Sequence, residues 1–225
     1  MKHRLQNIKA VTVGTHPERC VPFHIQAEKF YVHVTNLGEG VTWQGTDMSG
    51  PGGGHKVTLL RDFIKKLPDD FILLFTDCYD ILYNDTLSSI GNKFRKLGHK
   101  VIFAAERDIW PDSSIAGRFP DTSSPYKYLN SGVFIGEVGE LKRMLNDSIA
   151  NNADDQLYYQ HLFLSDKFDV ALDTNCHIFQ CHEPDIKIVD EGVLYNPYTK
   201  SYPSIYHGNG GDEAKQTFDK MKELL

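Results

Sequence analysis

Long apolar runs are missing from this chain: no stretch approaches the ~20 residues a membrane-spanning helix needs. The first residues, Met1-Lys2-His3-Arg4-Leu5-Gln6-Asn7, are basic but lack the apolar core of a signal peptide. The expectation is a soluble chain without a membrane span or visible signal peptide, its compartment open, with the cytoplasm (the host's, were the source viral) one option. Cysteine is scarce. Cys20, Cys78, Cys176 and Cys181 are too few and too scattered for a disulfide scaffold. Cys176-His177 and Cys181-His182 lack the C-x-x-C spacing of a zinc site, and read as buried thiols beside surface histidines. Positive charge is in deficit: 24 Lys and Arg stand against 30 Asp and Glu, for a net charge of −6 and a pI near 5.9. That balance argues against nucleic acid or an anionic membrane as the main partner. Two phosphate motifs are absent. Gly54-His55-Lys56-Val57 stands where a P-loop would end in Gly-Lys-Ser/Thr, and no G-x-G-x-x-G follows a strand.

What remains is an ordinary globular composition, 40% hydrophobic and 24% charged. Its 225 residues suit one domain spanning 1–225, without internal repeat or linker. Asn84-Asp85-Thr86 and Asn146-Asp147-Ser148 are formal glycosylation sequons that matter only in a secreted chain. Periodicity predicts strands at Ile8–Val13, Phe30–Val34, Phe71–Asp77, Val101–Ala105 and Tyr128–Ile135. Further strands are expected near Val170–Leu172, His177–Gln180 and Ser204–Tyr206. Helices are expected at Lys56–Lys66, Leu87–Leu97, Leu141–Ile149 and Asp154–Leu164, with a final short helix from Asp212. This alternation predicts an α/β fold with a central, mostly parallel sheet and ligands at the carboxyl ends of its strands.

The strand Phe71-Ile72-Leu73-Leu74-Phe75-Thr76 runs straight into Asp77-Cys78-Tyr79-Asp80. Carboxylates are costly at the end of an apolar strand unless partnered, and a divalent cation is a common partner. A solvated strand-to-turn junction is the plain alternative. Gly50-Pro51-Gly52-Gly53-Gly54-His55-Lys56 precedes a helix, where exposed backbone N–H groups and the helix dipole favour an anion; a flexible turn would read the same. Ile205-Tyr206-His207 leads into Gly208-Asn209-Gly210-Gly211, so an imidazole meets a glycine-rich loop that can admit a diphosphate. A histidine in such a place is often structural. Two oxygens and one nitrogen around an open ion suit manganese better than magnesium or calcium.

These segments occur together and in order, from Val11-Thr12-Val13 through Gly52–Val57, Phe75–Asp80, Ala105-Glu106 to Trp110-Pro111, Leu129–Gly136, Asp154–Tyr159 and Leu172–Gln180 to His207–Gly210. The ordered set resembles the N-terminal glycosyltransferase domain of the procollagen lysyl hydroxylase/glycosyltransferase (PLOD) family, and more distantly the collagen galactosyltransferases. The resemblance covers nearly the whole chain, as a stand-alone version of that domain. It implies a GT-A-like, Rossmann-like glycosyltransferase fold that uses a UDP-sugar donor and Mn²⁺. By the same resemblance Asp77, Asp80 and His207 are the metal ligands. Trp43, Gly53, Gly54, Lys56 and Tyr79 hold the nucleotide, and Gly208, Asn209 and Gly210 form the diphosphate loop. The family's loop lysine corresponds only loosely to Lys215, because Gly211-Asp212-Glu213-Ala214 intervenes. Trp110, Asn130, Asp154 and Asp155 match positions near the sugar and acceptor pocket, although Asp154 and Asp155 could equally cap a helix and Trp110 be a core ring.

The implied reaction transfers glucose from UDP-glucose to galactosyl-hydroxylysine of a collagen-like polypeptide, with retention. A UDP-galactose:hydroxylysine transferase is the close rival, and a non-catalytic UDP-sugar or collagen-binding domain is the alternative from another class. No residue singles out a catalytic nucleophile; Asp154 or Asp155 is the best candidate to contact sugar or acceptor. The sole His-x-Glu is His16-Pro17-Glu18, in the wrong context for an iron/2-oxoglutarate hydroxylase, so hydroxylation is not expected of this polypeptide. The sequence leaves the compartment and the oligomeric state open, a homo-oligomer included.

Overall fold

Apolar strands of period two need cover on both faces, and here helices supply it on either side of one sheet. The computed structural model describes residues 7–46, 52–190 and 192–225. In chain order the elements are β1 (Ile8–Thr12), α1 (Pro17–Lys29), β2 (Val34–Asn36), α2 (Gly54–Ile64), β3 (Ile72–Thr76), β4 (Ile81–Tyr83), α3 (Leu87–Leu97) and β5 (Val101–Glu106). A 3₁₀ turn at Ser113–Arg118 precedes β6 (Tyr128–Glu137), α4 (Val138–Met144), α5 (Asp155–Phe163), β7 (Val170–Asp173) and β8 (Phe179–Cys181). The hairpin β9 (Lys187–Val189) and β10 (Val193–Tyr195), then β11 (Ile205–His207) and α6 (Asp212–Leu224), complete the chain.

The main sheet has the order β2-β1-β3-β6-β5-β7. All its pairings are parallel except those of β6, which runs against both β3 and β5. Alternate side chains divide between two cores. Leu73, Phe75 and Phe134 pack with α2, α4 and Tyr159 of α5, whereas Leu74 and Ile135 pack with α1 and α3. A second, three-stranded sheet, β4-β11-β8, lies beyond the end of β3. The chain leaves one sheet at Thr76 and enters the other at Ile81, so residues 77–80 form the turn between them. Gln26 of α1 fixes that entry: its amide both donates to and accepts from the backbone of Tyr83, at 2.7 and 2.8 Å.

Several expected boundaries move. The segment Pro17–Lys29 is a helix where no element was expected; Pro17 at its first position and Glu18 in its first turn favour the start, while the internal Pro22 obscures the pattern. That helix takes in Lys29, and the left-handed Tyr31 then turns the chain, so the strand expected at Phe30–Val34 begins only at Val34. The helix expected at Leu141–Ile149 starts at Val138 and ends at Met144. The strand expected from His177 starts at Phe179, because the Asp173 carboxylate accepts the backbone N–H groups of His177, Ile178 and Phe179 and holds them in a turn. The short strands β4, β9 and β10 were too brief for periodicity to reveal. Among the described residues no helix is long and apolar enough to cross a membrane.

Candidate metal and sugar-nucleotide site

The turn between the two sheets carries Asp77 and Asp80, and β11 delivers His207 beside them through its antiparallel pairing with β4. One ligand atom from each of the three lies within 4.8 Å of the others. His207 Nε2 is 3.4 Å from Asp80 Oδ2 and 4.0 Å from Asp77 Oδ2. The imidazole is buried, whereas the carboxylates are 25% and 37% exposed, so the cluster opens to one side. Asn130 sets the ring. Its Oδ1 already accepts from Gly132 N at 3.0 Å, so it accepts from His207 Nδ1, also at 3.0 Å. Nε2 is left to face the two carboxylates, the usual way a second group orients a metal-binding imidazole.

Charge confirms the facing. Burial alone would lower the His207 pKa, but the carboxylates of Asp80, Asp77 and Glu106 outweigh it and raise the value. Burial would raise Asp80, and His207 and Lys56 together lower it. Two carboxylate oxygens with one imidazole nitrogen are a donor set that fits a divalent cation such as manganese.

A bulge in β6 builds the floor. Register with β5 jumps from Phe103–Phe134 to Ala104–Asn130, leaving Ser131, Gly132 and Val133 outside that ladder. The Gly132 carbonyl accepts from Asp77 N at 2.7 Å. A methyl at Gly132 would lie 2.2 Å from the His207 ring, so only glycine lets the imidazole seat here. Ser131 Oγ donates to Asp155 Oδ2 at 3.3 Å.

Lys56 joins the two acidic pairs. Its ammonium contacts Asp77 Oδ1 at 2.9 Å and Asp155 Oδ2 at 3.0 Å. Burial alone would lower its pKa, but these carboxylates outweigh that and keep it charged. Asp155 is itself buried, which raises its pKa against the pull of Lys56. Asp154 caps α5, accepting from Leu157 N at 2.6 Å, and also receives Gly52 N at 3.3 Å. Burial raises its pKa as well.

The glycine-rich segment departs from its expected use. Asp47–Pro51 lie outside the described residues. The N–H groups of Gly54 and His55 donate to Ala153 O and Asn151 O at 2.9 and 3.0 Å. The start of α2 therefore grips the 151–155 segment instead of presenting those donors to an anion. Gly53 pairs with Asp154 across an isolated bridge, which completes the grip.

On the expected nucleotide side, Tyr79 Oη accepts from His16 N at 3.1 Å, and the Arg19 guanidinium lies 4.4 Å above the Tyr79 ring. Trp43 packs 5.2 Å from the His55 ring and donates to Thr46 O at 2.9 Å. The Gly208 N–H donates to Asp80 O at 2.8 Å, binding the loop to the 77–80 turn. Gly210 follows with a left-handed φ of 122°. The Asn209 side chain turns inward, accepting from His182 N at 3.0 Å and donating to Glu106 Oε2 at 2.7 Å. Lys215 is exposed on α6 and bonds to no residue of the cluster among those described.

Glu106 belongs to the Ala105-Glu106 segment of the sequence pattern, which assigns it no role. It ends β5 and bonds Gln156 Nε2 at 2.8 Å as well as Asn209. Burial pushes its carboxyl up to about 7, against the pull of Asn130, His207, Gln156 and Asn209. The signal that marked Asp77, a carboxylate closing an apolar strand, marks Glu106 equally. Trp110 is 52% exposed and so is no core ring. Its carbonyl accepts from Gln156 and Gln160 at 2.9 and 2.8 Å, which pins the loop after β5. Among the described residues Asp77, Asp80 and His207 are the sole cluster with metal-ligand geometry, and Cys176 and Cys181 are free, buried thiols.

A sequence profile of the PLOD GT domain matches residues 4–224. The procollagen-lysine,2-oxoglutarate 5-dioxygenase of Drosophila melanogaster is 41% identical over 90% of this chain and 30% of its own length. The multifunctional procollagen lysine hydroxylase and glycosyltransferase of Caenorhabditis elegans is 32% identical over 93% and 31%. An uncharacterized protein of Acanthamoeba polyphaga mimivirus is 34% identical over 83% and 41%. The chain thus spans less than half the length of these relatives. In solved structures, the galactosyltransferase LgtC with donor and acceptor sugar analogs superposes at a TM-score of 0.52 and 11% identity, covering 96% of each chain. A glycosyltransferase involved in glycosylating the major capsid of PBCV-1 gives 0.51 and 13%, over 98% of this chain and 100% of its own. The shared architecture is the GT-A fold.

Proposed function

We propose, from the premise that this chain belongs to the PLOD GT domain family and is a glycosyltransferase domain, that it moves a hexose from a UDP-sugar to collagen-type hydroxylysine. The observation that carries this reading is the convergence of Asp77, Asp80 and His207 within 4.8 Å at the open end of the sheet. Mn²⁺ held there would offset the charge that develops on the departing diphosphate. Asn130 holds the imidazole so that Nε2 faces the Asp77 and Asp80 carboxylates, where it would be free to bind the cation, and Lys56 fixes the Asp77 carboxylate. Tyr79, braced by Arg19, offers an aromatic face to the uracil. Trp110 offers its exposed ring to the sugar or acceptor.

Glu106, with a carboxyl near pH 7, can exchange a proton with an acceptor hydroxyl at ordinary pH. Asp155 is buried and is kept in place by Lys56 and Ser131. The preferred donor and acceptor are UDP-glucose and galactosyl-hydroxylysine, with retention of configuration. The rival is galactose from UDP-galactose to hydroxylysine itself.

The test is UDP release measured with either donor, with and without Mn²⁺, on peptides bearing hydroxylysine or galactosyl-hydroxylysine. Faster release with UDP-glucose on the galactosylated peptide supports the first reading, and the reverse pattern supports its rival. Donor binding with no release on any peptide would make this a binding domain and refute transfer.

A further inference from the structure

Two sulfurs meet behind the metal-binding turn. Cys20 lies on α1, and Cys78 sits between Asp77 and Asp80; their Sγ atoms are 3.0 Å apart, and both residues are buried. The contact is enforced by its surroundings. A methyl at Gly14 would lie 2.3 Å from Cys20 Sγ and 2.7 Å from Cys78 Sγ, so a bare α-carbon is what admits both sulfurs to one corner. Asn36 locks that corner. Its side chain accepts from Gly14 N and Gly38 N, donates to Gly14 O, and touches Cys20 Sγ at 3.8 Å. A disulfide needs a separation of about 2.05 Å, so closure requires a movement of roughly 1 Å.

We propose that Cys20 and Cys78 are an oxidisable pair whose disulfide ties α1 to the metal-binding turn and weakens cation binding there. The second half rests on the metal reading of Asp77, Asp80 and His207 given above. With glutathione disulfide as oxidant, one cysteine thiolate attacks a glutathione sulfur and expels one glutathione thiolate. The second cysteine thiolate then attacks the mixed disulfide and expels the other. One protein S–S bond forms and one glutathione S–S bond breaks. Two electrons pass to the oxidant, and the two thiol protons end on two molecules of reduced glutathione. Because both sulfurs are buried, exchange proceeds through local opening or during folding.

The geometry dictates the direction of the effect. Cys78 is covalently flanked by the metal turn, with Asp77 on one side and Asp80 two residues beyond. His207 is held independently, by β11 and Asn130. Pulling Cys78 toward α1 moves both carboxylates relative to a fixed imidazole, whereas metal sites tolerate only about ±0.2 Å in ligand distance.

The experiment exposes the intact chain, both native and during refolding, to glutathione buffers of graded oxidised fraction. Peptide mass spectrometry then reads the cross-link, and titration with Mn²⁺ alone reads affinity. The expected result is a dithiothreitol-reversible peptide pair joining Cys20 to Cys78, with the loss of two hydrogens and Mn²⁺ affinity reduced about tenfold or more. C20S should abolish the link and make Mn²⁺ affinity insensitive to the buffer. Four persistent free thiols, a link between other cysteines, or a cross-linked protein that binds Mn²⁺ as tightly as the reduced one would overturn the proposal. Failure of the reduced protein to bind Mn²⁺ refutes the metal reading instead, and is distinguishable because mass reads the cross-link independently.

Discussion

Two acidic pairs stand on either side of Lys56, and their settings separate their behaviour. Asp77 and Asp80, three residues apart across a turn between sheets, converge on His207 and stay partly exposed. Asp154 and Asp155, adjacent at the start of α5, diverge: the first caps the helix and the second is buried against Lys56 and Ser131. The same functional group gives a part-exposed pair beside an imidazole in one place and a pair engaged by a helix end and a lysine in the other. Lys56 links them, since it holds Asp77 from behind with the charge that also keeps Asp155 buried. The Asp77 carboxylate is therefore held in place by Lys56.

The largest expected effect comes from the open pair. Asp80→Asn should cut transfer on the order of 10³-fold or more and abolish measurable Mn²⁺ binding. Its melting temperature should be nearly unchanged, because Asp80 is part-exposed and, among the described residues, its side chain is within ion-pair distance of His207 only. Asp80 is the cleaner choice than Asp77, whose removal would also take away one of the two carboxylates that Lys56 contacts. Transfer within tenfold of the parent would break the contrast.

Next comes the link itself. Lys56→Met leaves Asp77 and Asp155 facing each other without their shared cation, and should cost about 3–5 kcal/mol in urea unfolding. Adding Asp155→Asn should recover part of that loss; no recovery would mean the two pairs are not coupled through Lys56.

Glu106 sharpens the comparison, as a carboxyl belonging to neither pair. Its value of about 7 lies above the ordinary 4.5, so as pH rises the unfolded chain releases this proton before the folded one. Stability is full below pH 4.5 and falls between there and pH 7, by about 3 kcal/mol at most. Glu106→Gln should lack this fall, so in metal-free protein the variant gains on the parent between pH 4.5 and pH 8. Parallel pH curves in urea titrations would contradict the burial of this group. The smallest effect is that of Asp154→Ala, which should cost about 1 kcal/mol through loss of the α5 cap. Mn²⁺ affinity should hardly move, and a large drop would place Asp154 with the open pair.

Legibility followed the range of the signal. Asp77, Asp80 and His207 were visible because each closes or follows an apolar strand, a local pattern. The α/β alternation was visible for the same reason, as was Asp154 as a cap. The start of α2 is ambiguous in the sequence because glycines that suit an anion also suit close backbone packing, and the backbone bonds to Ala153 and Asn151 show the packing. Asn130 and Asn209 read as sugar or phosphate contacts, yet their amides brace His207 and Glu106. The helix at Pro17–Lys29 escaped because its apolar face is interrupted by Pro22 and exposes Val21 and Ile25.

By itself the sequence determined the class of fold, the order of its segments, and the residues that bring carboxylate and imidazole to strand ends. Periodicity and burial cost act over a few residues, and both are written in the local chain. Only the tertiary structure decided which of those groups face one another. Residues 77 and 207 meet through a strand pairing and a bulge in β6, and Lys56 reaches both acidic pairs through the packing of α2 on the 151–155 segment. The Cys20–Cys78 contact likewise arises where α1 crosses the metal turn. Such contacts join residues distant in the chain, and no local pattern encodes their geometry.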